Sequence, residues 1–425
     1  VALASGASQT GFGRTGTVDW ITTPKTATFT AVSGEGYFCN TSGGAFTANL
    51  PAGVAGAIVS LADYAATWDI NNITVTPNGT DKIGSLNNNA ILNTLGQSVT
   101  FVFVDSTQGW INTMDSTSNV RGASNFLLAT GGTVTTSGDC KIHTFTGPGT
   151  FCVSAIGAVS ANNQVSYMAV AGGGGGGWDR AGGGGAGGFR EDKSPITPYT
   201  ASPLEGAGPI TVTAAGFPIV VGAGGVGGIN NSIPQFRGSG GSASSFSTIT
   251  STGGGGGGTA PGPADGIPGG SGGGTSGPSS SAGSGNTPPV SPSQGFPGGI
   301  APAPGGGDHG AGGGGATAAG VPGAGTSPVG AGGAGATTSI FGSINAYAGG
   351  GGGGYSDGAA GSGAGGDGGL GGGGDGGNYP GGLGAAGTTN TGGGGGGGSN
   401  GPNSSPAGNG GAGGSGIVII RYKFQ

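Results

Sequence analysis

The chain has 425 residues, of which 116 are Gly and 25 are Pro, together about a third of the total; that composition excludes a layered enzyme with a large aliphatic core. Charged residues make up only 7% and the formal net charge is −6, which excludes a nucleic-acid partner, since phosphate binding depends on clustered Lys and Arg. Apolar runs such as Ile417–Ile420 are far short of the roughly 18 residues that span a bilayer, so no membrane insertion is expected.

The chain opens at Val1 with neither Met nor a basic leader, as does a chain whose upstream piece has been cleaved or lies outside this sequence. Residues 1–16 are expected to be an N-terminal connector. Residues 17–112 are expected to form a small all-β module, because Lys25–Ala31, Ala57–Leu61, Asn72–Thr76 and Ser98–Asp105 alternate apolar and polar residues. Turn chemistry separates them: Ser-Gly-Glu-Gly, Asn-Leu-Pro-Ala-Gly, Pro-Asn-Gly and Leu-Gly-Gln. Residues 113–139, rich in Ser, Thr and Gly, read as a connector. Strand character returns in Lys141–Phe145, Thr150–Ile156 and Val165–Val170, and again in Ile417–Phe424. Cys39, Cys140 and Cys152 are too few for a disulfide framework. A bond between Cys140 and Cys152 across the Gly147-Pro148-Gly149 turn is the minor reading, and free buried thiols are the expectation.

Residues 1–171 hold 21 Gly and residues 172–425 hold 95. Pure runs occur at 172–177, 182–185, 253–258, 312–315, 349–354, 371–374 and 392–398. This stretch lacks the charge that keeps disordered chains solvated, so it is expected to be ordered. Fixing each Gly costs about 1–2 kcal/mol of backbone entropy, and no side chain offsets that cost. Only the backbone can. A left-handed helix of polyproline II type has no internal hydrogen bonds, so all its N–H and C=O groups point outward. Side by side, such helices exchange these bonds in every direction if only hydrogen atoms stand on their Cα atoms. The expected fold is therefore one or more all-β N-terminal modules followed, over 140–425, by packed polyglycine II helices framed by short β-strands, with almost no α-helix. Collagen fails because the runs keep no strict Gly-X-Y frame. Calcium-binding nonapeptide repeats fail because Asp367 and Asp375 are spaced wrongly and neither has an apolar residue two places on.

Matches to G-x-G-x-x-G carry no information in such a chain, and no Gly is followed by Lys, so a phosphate-loop lysine is absent. His143 reads as a strand residue and His309 as a solvated loop residue; together they make no zinc spacing and no hydrolase triad. The acids of the Gly-rich half are mostly isolated, against the paired carboxylates of glycosidases. No cofactor, no metal and no catalysis are expected. The aromatic residues are the informative ones. Trp178 and Tyr355 each end a six-Gly run, where packing at a slab end and surface contact are equally good readings. Tyr199, Phe236, Phe296 and Tyr379 sit in the variable interruptions, where flat rings suit binding at small entropic cost.

The stretches His143–Val153, Tyr167–Trp178, Gly182–Arg190, Val221–Gly225 and Gly413–Tyr422, in that order, resemble the glycine-rich domain of tailed-phage fibre proteins of marine and cyanobacterial phage type. The earlier segments Gly16–Trp20, Asn49–Gly53, Pro77–Gly79 and Gln97–Val104 are similar to a β module of the same fibres. The resemblance implies a virion tail-fibre location and a receptor-binding adhesin role on packed polyglycine II helices. The implied partners are a host-surface receptor, glycan or outer-membrane protein, and other tail or fibre proteins, with the chain as a homotrimer. Receptor contacts are then expected from Tyr199, Phe236, Phe296 and Tyr379, helped by Arg190 and Arg237. Two other readings stand beside this one: a structural filament or surface-layer protein, and an ice-binding polyglycine II protein. The long irregular segments 189–205, 229–252 and 275–304 count against the flat face that ice binding favours.

Overall fold

The computed structural model describes residues 18–116, 125–206, 208–230, 236–277, 280–301, 309–323, 329–356, 363–401 and 406–425. The chain divides into two compact units, 1–122 and 123–425. Among the described residues there is no α-helix, only a 3-10 turn at Ser160–Asn163; the fold is β-structure throughout, apart from the glycine-rich segments.

The first unit is built from β1 (Asp19–Lys25), β2 (Phe29–Thr30), β3 (Glu35–Cys39), β4 (Phe46–Asn49), β5 (Ile58–Asp63), β6 (Ile73–Thr76), β7 (Ala90–Leu92), β8 (Ser98–Phe103) and β9 (Trp110–Ser116). From β1 to β6 the strands alternate between two sheets, and β1, β3 and β5 pair in parallel, as do β2, β4 and β6. The chain thus winds through three stacked coils, with β7 closing one sheet and β8 and β9 the other, all antiparallel. Tyr37, Val59, Leu61, Ile73, Val75, Phe101, Trp68 and Trp110 fill the space between the sheets. At the corner after β5, Asp63 accepts hydrogen bonds from the backbone N–H groups of Thr67, Trp68 and Gly96 at 3.2, 3.3 and 2.9 Å. This satisfies a carboxylate that is only 2% exposed.

The second unit begins inside the stretch expected to be a connector. β10 (Leu128–Thr130) and β11 (Thr133–Ser137) fall within 113–139, as does the end of β9, so most of the described residues of that segment are in strands; 117–124 lie outside the described residues. The remaining strands are β12 (Cys140–Phe145), β13 (Gly149–Ala155), β14 (Gln164–Val170), β15 (Phe189–Asp192), β16 (Ile210–Thr211), β17 (Gly216–Val220), β18 (Ser244–Phe246), β19 (Ile249–Ser251), β20 (Ala336–Thr338), β21 (Asn345–Tyr347) and β22 (Ile417–Lys423). One sheet runs β11-β12-β22-β14-β15 and the other β10-β13-β17-β18-β19. The C-terminal strand β22 is central, antiparallel to β12 and β14. Its alternate residues serve two cores. Val418, Ile420 and Tyr422 face Phe151, Tyr167 and Phe246 between the sheets, whereas Ile417 and Ile419 join Met168, Phe189, Ile340 and Tyr347 on the opposite face.

β12 and β13 belong to different sheets, so Cys140 and Cys152 do not face each other across a hairpin. All three thiols are free; Cys39 and Cys140 are buried, but Cys152 is exposed. Burial pushes the Cys39 thiol up to about 12. His143 is a fully buried strand residue. Its Nδ1 lies 2.7 Å from Gly131 O and its ring stacks on Tyr422 at 5.5 Å. Desolvation holds its pKa below the ordinary 6.5. The unfolded chain therefore binds the proton more readily, and stability falls as pH drops from about 6.5 through the folded value. His143→Phe is expected to flatten this acid limb in thermal melts between pH 7 and 4; an unchanged slope would show that this histidine does not set it.

The glycine runs form the body of the second unit. The donors of 172–178 rotate among three partners: Gly172, Gly175 and Trp178 bond to Ser242, Ser239 and Phe236, Gly173 and Gly176 to Gly414 and Gly411, and Gly174 and Gly177 to Gly185 and Gly182. Their carbonyls rotate likewise, with Gly254 and Gly257, Gly225 and Gly228, and Gly395 and Gly398 as donors. A strand ladder repeats every second residue; this segment repeats every third, the period of a polyproline II helix. One helix thus has six neighbours, with the three it donates to antiparallel and the three it accepts from parallel. The runs 182–188, 349–354 and 393–398 also have six neighbours each, in other mixtures of parallel and antiparallel directions. Run 371–374 departs from expectation, because Gly371 and Gly372 take φ of 101° and 91° and form a turn. Conversely, 222–228, 236–242, 264–274 and 408–414, which contain few pure runs, exchange backbone bonds with the runs as well, the first two from the edge of the bundle with three neighbours each.

Each glycine contributes about one backbone bond, worth roughly 0.5–1.5 kcal/mol net, against a similar or larger entropy cost. The bundle by itself therefore gains little, and the strand frame supplies the difference. Val170, Val220, Ser251 and Tyr347 lead straight from strands into helices, and Gly188 and Gly416 lead back into β15 and β22. Every helix consequently has a sandwich end and a far end.

Candidate functional site

The far end is assembled from connections that carry no strand. The first, Trp178-Asp179-Arg180, turns 172–177 into the antiparallel 182–188. Asp179 and Arg180 both take the left-handed region, φ 56° and 47°, where Asn-Gly is the usual choice. Side-chain contacts hold this turn. Asp179 pairs with Arg180 Nε at 3.5 Å, Thr259 Oγ1 donates to Trp178 O, and the indole N–H donates to Ala407 O at 3.2 Å. Burial raises the pKa of Asp179, opposed by the Arg180 charge. A non-glycine pair retained in this conformation is an outlier of the kind that gathers at functional sites.

Phe236 stacks on Trp178 with centroids 5.0 Å apart. Beside it Arg237 is half-buried, and its Nε has no hydrogen-bond partner. Desolvation lowers its pKa, opposed by the nearby Asp265. Across this end Tyr355 tilts against His309 at 4.5 Å, and His309 Nδ1 accepts from Ser356 N–H at 3.1 Å. His309 is 3% exposed, not the solvated loop residue expected, because the Tyr355 ring covers it. Asn378 accepts from Gly365 N–H at 2.9 Å through its side chain. Tyr379 N–H donates to Gly363 O at 3.0 Å, and Asn400 N–H to Tyr355 O at 3.3 Å. These bonds leave the Tyr379 ring half-buried on the rim.

The six residues expected to contact a receptor do not lie together. Phe236, Arg237 and Tyr379 are at the far end. Arg190, Tyr199 and Phe296 are at the sandwich end. Arg190 is half-buried within β15, in register with Ala169. Tyr199 packs on the sandwich, with the Arg421 guanidinium 5.5 Å from its ring centroid and its hydroxyl donating to Asp192 O at 3.4 Å. Burial, with Glu191 nearby, raises its pKa. Glu191 is itself buried, accepting from Ser202 N–H at 2.8 Å and Thr338 Oγ1 at 2.5 Å. Phe296 is 37% exposed, and its backbone bonds to Gly315 and Gly272 place it on the turn side facing the strands. Trp178 combines both readings given to it: it closes a helix and offers a half-buried ring. Tyr355, 9% exposed, is a packing residue.

Asn378, Arg180 and Asn400 at the far end are additions from the structure. The signal for them was present in the chain. Strand-like segments recur after every second glycine stretch at first, so connections without strand character belong to the opposite end. A family profile described as a glycine-rich domain matches residues 145–423. No curated protein matches the chain.

Proposed function

The chain belongs to the glycine-rich domain family, and on that premise we propose that it is a virion fibre or fibre-tip protein of a tailed phage, which attaches to a host-surface receptor by non-covalent contact and without catalysis. The observation that carries this reading is the gathering of Trp178, Phe236, Arg237 and Tyr379 at the end of the bundle that carries no strand. The helices satisfy their backbone groups among themselves, so the connections at that end are free to vary without breaking the core. A stacked pair of rings with a half-desolvated guanidinium beside it suits a glycan or an outer-membrane protein loop. In this reading other fibre proteins hold the chain on the particle, as a trimer.

The test replaces Phe236, Arg237 and Tyr379 together with Ala in particles carrying the chain. Adsorption to host cells is expected to fall at least about tenfold, the scale of hot-spot losses, with the melting temperature of the purified protein nearly unchanged. Adsorption equal to that of the parent particle would remove the far end as the receptor surface.

A further inference from the structure

We propose that a cavity of about 320 Å³ at the sandwich end binds one neutral, hydroxyl-rich ring of monosaccharide size. It lies at the low end of the range for small-molecule sites, about 300–1,000 Å³. Three parts of the second unit build it. Thr144, Thr146 and Ile417 come from β12 and its end and from β22; Phe341 and Asn345 come from the β20–β21 hairpin; Asn390 comes from the turn before run 393–398. That turn is far from Trp178 and Tyr379, so this site is separate from the proposed receptor surface.

The lining is uncharged throughout, which disfavours phosphate, carboxylate and ammonium ligands. Its polar groups are only partly used by the protein. Asn390 Oδ1 accepts from Ser415 Oγ at 3.1 Å and its backbone N–H donates to the same oxygen at 3.0 Å, which fixes the side chain while leaving the amide N–H₂. Asn345 donates its amide to Ser343 O and Oγ at 3.0 and 3.1 Å, which leaves its carbonyl oxygen. Phe341, 40% exposed, and the side chain of Ile417 supply apolar surface. Donors, acceptors and an aromatic face without charge are the complement of a sugar ring, which has hydroxyls at its edge and C–H groups on its face.

The experiment titrates the full chain with glucose, galactose, mannose and N-acetylglucosamine, and with glucuronic acid as the charged counterpart, read by saturation-transfer NMR and calorimetry. At least one neutral sugar is expected to bind with millimolar or better affinity and glucuronic acid at least fivefold more weakly. Phe341→Ala and the cavity-filling Thr146→Trp, both at exposed positions, are each expected to reduce that affinity at least tenfold with unchanged melting. The proposal is overturned if none of the neutral sugars binds, if glucuronic acid binds as well, or if both variants bind within twofold of the parent.

Discussion

Gly351→Val is expected to lower the melting temperature of the second unit by roughly 6–12 °C, with Gly395→Val close behind. A Cβ on Gly351 would stand 2.1 Å from Gly395 O and 2.6 Å from its carbonyl carbon, and one on Gly395 would stand 2.1 Å from Gly411 O. These are backbone atoms held by bonds of their own, so no side chain can swing away. The helices must part, and the buried N–H and C=O groups they exchange lose partners at about 1–3 kcal/mol each. A loss of about 3 kcal/mol spreads over a unit of this size as about 2–4 °C per kcal/mol. Gly277→Ala is the control, because its Cβ would meet only Ala264 Cβ at 3.8 Å. Its melting should match the parent, and melting of the two Val variants at the parental temperature would show that the runs are not closely packed. The first unit, having its own core, should unfold as before.

Truncation after Gly416 should have a still larger effect: the second unit is expected not to fold. The removed strand β22 is the only link between β12 and β14 in the sheet order, and it carries five residues of the two apolar cores, from Ile417 to Tyr422. At about 1.5–3 kcal/mol per buried side chain, that loss alone reaches the 5–15 kcal/mol by which a typical domain is stable. The expected product gives the circular dichroism and proteolysis pattern of the first unit alone. A truncated chain that keeps protease resistance across 172–416 would show that the glycine bundle stands without its frame.

The polyglycine II arrangement was legible because only one backbone geometry makes a core from residues without side chains. The frame was legible at β12, β13, β14 and β22, where apolar and β-branched residues cluster in short segments. The three-coil winding of the first unit was not, since β3 and β4 lie around Gly34, Gly36, Gly43 and Gly44, residues that read equally as turns. Parallel pairing across 14 or more residues leaves no local trace either, as Asp19 opposite Glu35 and Lys25 opposite Cys39 illustrate. The candidate site was half legible. Aromatic residues in interruptions can be picked out of the sequence, but the interruptions alternate between two ends. Tyr199 and Phe296 lie where the chain returns to the strands, and only the path of the helices separates them from Phe236 and Tyr379.

The rotation of hydrogen-bond partners also governs how the chain can reach its native state. Gly173 and Gly176 bond to Gly414 and Gly411, so the first run to be synthesised waits for nearly the last. At about 5–20 residues per second, that wait is on the order of tens of seconds, and so large a contact order makes folding slow in any case. Through that interval a polyglycine segment presents no apolar side chains for misassociation. The composition that makes the bundle late to form also makes the unfinished chain safe to leave unfolded.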